Sequence, residues 1–359
     1  MSESINQQHI ADQLEISRTT VSRCFTNHPG INPETRAKVF DLAAKLGYYY
    51  SAARTGAAVN KSASHTIGVM VFNDFSERHL REYDSPWMQI LPGISEYLQI
   101  EKAQLDLQLI DHASQHLLQQ PFRSIRGIRK KIWKGAIFVY PFPISILEEV
   151  SQRLPSVSLV EQFGISLNCL DVDHSKGISD IIERLLSLGH RRIGFFSRHY
   201  PVAACWAYRR FSAYVERLTR EGLHVRWEDV INMNPNEDKT LEEGFQHLLR
   251  QTQEGVTAWV CAADHLGYDV IEFLKNHGFS VPQQVSVTGF DGIRPPKDAI
   301  PLTTLRIPYK EIGFTGAKRV FDLIRKRFDS VQHTLLECVL TEGESTGPVY
   351  KPSQNGKTT

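Results

Sequence analysis

Apolar positions in the first 48 residues fall on helical spacing in three consecutive segments. In the first, Ile10, Ala11 and Leu14 stand at i, i+1 and i+4 and make one apolar stripe. In the second, Ile16, Val21 and Phe25 give a buried side, and Ser17 stands where an N-cap hydroxyl belongs. The third covers 33–46: Asn32 caps it, Pro33 suits its first turn, Gly47 stops it, and Val39, Leu42, Ala43 and Leu46 point back at the first two. Residues 49–66 then turn small and polar, the composition of a linker.

Beyond the linker the period changes. Strands are expected over 67–72, 105–110, 136–139, 157–160, 193–197, 257–261, 285–288 and 304–307. Helices are expected over 86–100, 175–188, 206–221, 241–251, 266–277 and 309–327. Strands with few polar positions, separated by amphipathic helices, imply parallel sheets covered on both faces. There are too many strands for one small sheet, so two sequential doubly wound lobes are expected. The chain therefore divides into an all-α head at 1–50, a hinge at 51–65, a two-lobed α/β body at 66–343 and a frayed polar tail at 344–359.

The exposed face of the second helical segment is Arg18, Thr19, Ser22 and Arg23. Short hydroxyls and guanidinium forks suit phosphates and base edges, so the head reads as a helix-turn-helix that binds double-stranded DNA. Electrostatics alone would not show this. The net charge of the 359 residues is +1, and the first 61 hold seven Lys/Arg against five Asp/Glu. Five scattered cysteines (Cys24, Cys169, Cys205, Cys261, Cys338) have no paired spacing, as expected of reduced thiols. No apolar run approaches the ~20 residues of a membrane helix, and the N-terminus has no apolar signal core, so a cytoplasmic setting is expected. The fourteen histidines show no metal spacing, and phosphate-cradling glycine loops and Gly-x-Ser-x-Gly are absent. No metal, no cofactor and no enzyme activity are therefore expected.

The chain resembles the lactose-repressor (LacI/GalR) family of bacterial transcription regulators. The head carries Ile10-Ala11, then Ser17-Arg18-Thr19-Thr20-Val21-Ser22-Arg23, then Leu46-Gly47-Tyr48. The body carries Leu188-Gly189-His190-Arg191-Arg192-Ile193-Gly194-Phe195, Ala263-Asp264, Val281-Pro282, Val285 to Asp291, and Pro301-Leu302-Thr303-Thr304, in order. The resemblance implies a body similar to periplasmic sugar-binding proteins, a small-molecule effector in the cleft between its lobes, and a homodimer on a near-palindromic operator. It implies crossovers near 165, 303 and 335, with a first lobe of 66–165 and 307–335 and a second of 168–303 plus the last strand.

Two departures stand out. Glu15 occupies the turn where the family has glycine, which an ordinary backbone there would tolerate. In the hinge, Tyr50-Ser51 replace the family's Pro-Asn, and Ala57 replaces a leucine that wedges into the minor groove. Alanine is too small to unstack a base step by much. The segment 74–85 is longer than usual.

By resemblance Arg18 and Thr19 read bases, and Thr20, Ser22 and Arg23 clamp phosphates or a base edge. Arg54 and Lys61 in the linker are backbone-phosphate candidates. For the effector, Arg210 aligns with a family arginine, with Arg209 its competitor; a guanidinium forks onto hydroxyls or a carboxylate. Asp264 and Asp291 follow expected strands, the end at which open α/β sheets bind ligands. Asp264 suits ligand contact or helix capping equally, Asp291 suits contact, and Asp173 suits capping. Asn73, Trp87 and Trp206 are candidates for lining the effector site. Carboxylates and a guanidinium together suit a sugar. The expectation is a regulator, most simply a repressor, responsive to a small polar effector; an enzyme bearing a DNA-binding head and a periplasmic receptor are the competing readings.

Overall fold

The computed structural model describes residues 6–25, 28, 30–46, 65–72, 86–110, 118–161, 164–200, 205–233, 240–327 and 330–349. Arg54, Ala57, Lys61, Asn73 and the segment 74–85 lie outside the described residues.

The head is three helices: α1 (Gln7–Gln13), α2 (Arg18–Phe25) and α3 (Pro33–Lys45). Ile10, Ala11, Val21, Cys24, Ile31, Val39 and Ala43 close its core, with Leu14, Ile16, Phe25, Leu42 and Leu46 packed around them. Polar caps set the boundaries. Asn6 accepts from the amides of Gln8 and His9, Ser17 Oγ accepts the Thr20 amide at 3.0 Å, and Asn32 accepts the Glu34 amide at 2.8 Å. The turn differs from expectation: Glu15 takes φ +53°, a left-handed backbone, so the glycine it replaces would have been conformationally cheaper.

The chain forms two compact units, one of residues 1–171 with 308–336 and one of 172–307 with 337–359. The chain thus passes between them a few residues later than the sequence implied.

The first unit holds β1 (Thr66–Phe72), α4 (Pro86–Ile100), β2 (Gln104–Ile110), the short α5 (Pro121–Ser124) and α6 (Arg126–Arg129), and β3 (Trp133–Val139). It continues with α7 (Ile144–Ser151), β4 (Ser156–Leu159) and β5 (Asn168–Val172). Its sheet runs β11-β5-β4-β3-β1-β2, where β11 is His333–Leu336. The pairs among β1 to β5 are parallel, and every residue of β4 and β5 is buried, as expected of strands covered on both faces. After the returning helix α12 (Tyr309–Ile324), β11 (His333–Leu336) joins at the edge. Gly93 and Gly313 let α4 and α12 touch backbone to backbone: a Cβ on either would lie 1.9–2.1 Å from a carbonyl oxygen of the other helix.

The second unit holds α8 (His174–Ser187), β6 (Ile193–Phe196), α9 (Cys205–Arg220), β7 (Val230–Ile231), α10 (Leu241–Gln253), β8 (Ala258–Cys261), α11 (Asp264–Asn276) and β9 (Ser286–Thr288). Its parallel sheet runs β7-β6-β8-β9, and β10 (Thr304–Arg306) pairs antiparallel with β12 (Val339–Thr341). The expected frayed tail needs correcting at its start. Ser345 is fully buried, its Oγ donating to the Val287 carbonyl at 2.6 Å and accepting the Thr303 amide at 2.8 Å. The Gly347 carbonyl accepts from His190 Nε2 at 3.0 Å, and the Val349 amide donates to Leu188. Ser345, Thr346 and Gly347 supply the hydroxyl and amide partners that this edge of the unit needs.

Candidate functional site

The head presents its second helix outward. Arg18, Thr19 and Arg23 are exposed while Val21 and Cys24 are buried on the opposite side. This is the alternation that an eight-residue helix needs to hold onto a core and offer a polar face. Thr20 is less available than the sequence implied. It is half-buried, and its hydroxyl pairs with Ser17 Oγ at 2.9 Å, so it completes the cap. Ser22 is half-buried as well. Arg36 of α3 is fully buried and donates to the His28 carbonyl at 2.8 Å; burial also pushes the Cys24 thiol up to about 11. Both groups serve the inside of the head.

In the second unit, the carboxyl ends of β6, β8 and β9 and the first turns of α8, α9 and α11 bring one polar cluster together. Arg210 is its centre. It is only 3% exposed, so the competition with Arg209, which is half-buried, resolves in its favour as the residue inserted in the cluster. Its guanidinium carbon stands 3.7 Å from the centroid of the Phe290 ring and 4.5 Å from that of Trp206, a cation held between two aromatic faces. Nη1 donates to the Ala262 carbonyl at 2.6 Å, Nε donates to His174 Nδ1 at 3.3 Å, and Nη2 lies 3.2 Å from Asp291 Oδ1. Three directions of the planar fork are thus fixed by strand ends and a helix start, and a ligand would meet a preset guanidinium.

Asp291 occupies an unusual backbone. Its φ is +139°, a region that L side chains rarely adopt, and it is held there by its amide donating to Leu305 and its carbonyl accepting from Ile307. The preceding Phe290 turns its ring under Arg210 while Asp291 turns its carboxylate to the same guanidinium.

Asp264 behaves differently. Ala263 is the N-cap of α11 and Asp264 its first residue, so the capping role expected for Asp264 is not the one it fills. Its carboxylate is fully buried: Oδ1 accepts the Thr304 hydroxyl at 2.5 Å and Oδ2 accepts the Ile293 amide at 2.9 Å. Burial, and then the nearby Asp291 charge, push its pKa up to about 7. The carboxylate ties the turn after β9 to β10. Gly289 makes the fit: a Cβ there would lie 2.2 Å from Asp264 Oδ1.

Trp206 is half-buried and sits in the cluster, edge-on to Tyr200 with ring centroids 5.0 Å apart. Trp87 belongs to the first unit and is 1% exposed at the start of α4, where its amide donates to Tyr140 Oη at 2.8 Å. That placement is interior. Asp173 caps α8 as expected, its Oδ1 accepting the Lys176 amide at 2.9 Å.

Sequence reasoning missed four members of the cluster: His174, Arg198, Tyr200 and Phe290. Arg198 lies over the Tyr200 ring at 4.8 Å, and burial raises the Tyr200 phenol above its ordinary range. His174 adjoins the capping Asp173, and Phe290 adjoins Asp291, so adjacency to residues already singled out was the available signal. Among the described residues no group of His, Cys, Asp and Glu is arranged to hold a metal ion, and no helix is long and apolar enough to cross a membrane.

Comparison with known proteins adds to this geometry. Residues 8–51 match the family described as bacterial regulatory proteins, lacI family, and residues 182–346 match the periplasmic binding protein-like domain. The chain is similar to the HTH-type transcriptional repressor CytR of Escherichia coli (strain K12), 27% identical over 94% of this chain and 95% of that one. In fold it is similar to the lac repressor dimer bound to operator and the anti-inducer ONPF, with a TM-score of 0.62 and 20% identity over 96% of this chain and 100% of that one. It is also similar to the transcriptional regulator CelR in complex with cellobiose, with a TM-score of 0.65 and 20% identity over 95% of this chain and 100% of that one.

Proposed function

We propose that this lacI-family transcription regulator represses from an operator read by α2, and that a small polyhydroxylated effector, a sugar, held around Arg210 and Asp291 sets its operator affinity. The observation that carries the effector reading is the Arg210 guanidinium clamped between Phe290 and Trp206 with Asp291 beside it. Aromatic faces accept the apolar side of a sugar ring, and a fixed fork next to a carboxylate supplies both donors and acceptors to its hydroxyls. Such a set of groups at the carboxyl ends of parallel strands is where open α/β sheets place ligands. The structural relative that holds cellobiose supports the same class. Asp264 serves this site by holding the turn that carries Asp291.

For the head, Arg18 and Thr19 open the helix whose first residues meet base edges, and Arg23 lies one turn on, in reach of phosphates. Two copies of the chain reading two half-sites follow from the relative solved as a dimer on its operator.

Both parts have direct tests. Duplexes selected from genomic fragments by the wild-type protein should be discriminated differently by an Arg18, Thr19 double variant, whereas Arg23→Ala should weaken all of them alike and lower the salt slope by about 1. For the effector, a panel of mono- and disaccharides is screened for release of the selected duplex. Arg210→Lys and Asp291→Asn should lose the response and keep DNA affinity. Retention of the full response in both variants would remove them from the effector site.

A further inference from the structure

The segment between β2 and α7 carries a run of six cations, and neither the head nor the effector cluster uses it. Residues 112–147 contain no Asp or Glu. Within them Arg123, Arg126, Arg129, Lys130, Lys131 and Lys134 are all exposed, and among the described residues none of the six makes an ion pair. The described acid acting on Arg126 is Asp106, which is itself a poor counter-charge: it accepts from Trp133 Nε1 at 2.8 Å, and burial raises its pKa. Neighbouring Arg153, on the connection into β4, adds to the same edge, its guanidinium 4.0 Å above the Phe122 ring.

The fold decides what this patch can meet. α5, α6 and the turn after them feed the amino end of β3, and Trp133 at that end pairs with Thr66 at the amino end of β1. Trp133 locks the segment in place, since a Cβ on Gly127 of α6 would lie 2.0 Å from its Nε1 and one on Gly68 of β1 would lie 2.2 Å from its ring. Thr66 is the first residue of the body, joined through residues 47–64 to the end of α3. The cations therefore flank the point at which the DNA-binding head is tethered, on the edge of the sheet opposite its carboxyl ends. A fully extended run of that length reaches about 60 Å, so this edge stays within range of any duplex the head holds.

We propose that this amino edge of the first unit is a second DNA-contacting surface, which binds the phosphate backbone of duplex flanking the site read by α2. Six exposed cations that make no ion pair among the described residues suit a sequence-independent polyanion contact rather than base readout. The inference rests on the DNA-binding reading of the head and adds to it a contact from the body.

The test uses the full chain and two duplexes: one recovered by selection from genomic fragments, and the same duplex trimmed to the bases the head protects. Lys130→Gln, Lys131→Gln and Lys134→Gln are combined, all three being exposed, and Arg250→Gln with Lys275→Gln in the second unit is the control. On the long duplex the triple variant should show a slope of log affinity against log salt shallower by about 2.7, at about 0.9 for each phosphate no longer neutralised. Its preference for the selected over a scrambled duplex should stay as in the wild type. On the trimmed duplex, triple variant and wild type should bind alike, and the control should match the wild type throughout. An unchanged slope on the long duplex overturns the proposal while leaving the head's role intact. An equal loss on the trimmed duplex overturns it too, since the effect would then lie at the head's own site. Failure of the wild type to bind any duplex would instead overturn the DNA-binding reading itself, and this inference with it.

Discussion

Glu15 holds the turn between α1 and α2 in the left-handed region, φ +53°, with its amide donating to the Asp12 carbonyl. For a residue with a Cβ this conformation costs about 1–2 kcal/mol, while glycine gives back roughly 0.5–1 kcal/mol through its greater freedom when unfolded. Glu15→Gly should therefore stabilise the head slightly, by about 1 kcal/mol at most, and slow amide hydrogen exchange in α1 and α2 several-fold. Exchange that is unchanged or faster would show the turn to be unstrained. The same residue shows what a sequence withholds. The missing glycine was visible, but the backbone dihedral that gives it meaning was not. Arg210 teaches the reverse lesson. Its candidacy was legible from the motif, yet the choice between it and Arg209 depended on which of two adjacent side chains turns inward, which helix phase decides only once α9 is packed. Asp264 was ambiguous for a further reason: a carboxylate after a strand looks alike whether it faces a ligand or, as here, Thr304 and Ile293.

At the scale of elements, the long amphipathic helices were legible nearly to the residue, and the sequence expectation for 86–100 matches α4. Of the four strands missed, β5 is fully buried but polar at Asn168 and Asp171, which breaks its apolar run, and the other three are marginal. β7 has two residues, and β11 and β12 are half-exposed or exposed along their length, so none carries the apolar run that marks a buried strand. The stretch Leu188-Gly189-His190-Arg191-Arg192 that leads into β6 has a structural part. Arg192 makes a bidentate pair with Asp229, at 2.9 and 2.7 Å, and donates to the Glu254 carbonyl, joining three connections across the amino edge of the second sheet. The turn linking β9 to β10 carries its own prediction, because it closes on Asp264. The unfolded carboxyl titrates near 3.8 and the folded one near about 7, so between those values the folded state keeps a proton that the unfolded state releases. This group's contribution to stability is therefore greatest at low pH, falls as pH rises from about 4 to about 7, and is level above that. Asp264→Asn keeps an oxygen for the Ile293 amide and offers an N–H to the Thr304 hydroxyl, which can turn to accept it. The difference in urea midpoint between wild type and variant should then move in the variant's favour as pH rises through that window. A difference independent of pH would mean that the buried carboxylate stays ionised.

For the whole molecule, a DNA-reading head and the proposed effector cluster on one chain matter only if the occupancy of each is felt by the other, and thermodynamics makes that claim sharper than it sounds. If the sugar lowers operator affinity by some factor, the operator must lower sugar affinity by the same factor, whatever route the coupling takes through the protein. Couplings of this kind are typically about 1–3 kcal/mol, or roughly 5–150-fold. The prediction is that the affinity for the effector, measured by titration calorimetry with and without a saturating operator duplex, changes by the factor found when duplex affinity is measured with and without saturating effector. In Asp291→Asn both factors should collapse towards one, because the side chain 3.2 Å from Arg210 then has no charge for that guanidinium and the ligand to share. In the variant lacking Lys130, Lys131 and Lys134, duplex affinity should fall with the coupling factor unchanged, since phosphate contacts common to both effector states cancel from the ratio. A sugar that releases DNA from the protein while operator leaves its own binding untouched would break the reciprocity. The sugar binding read by calorimetry would then not be the event that releases DNA, and the assignment of the effector to the Arg210 cluster would fall.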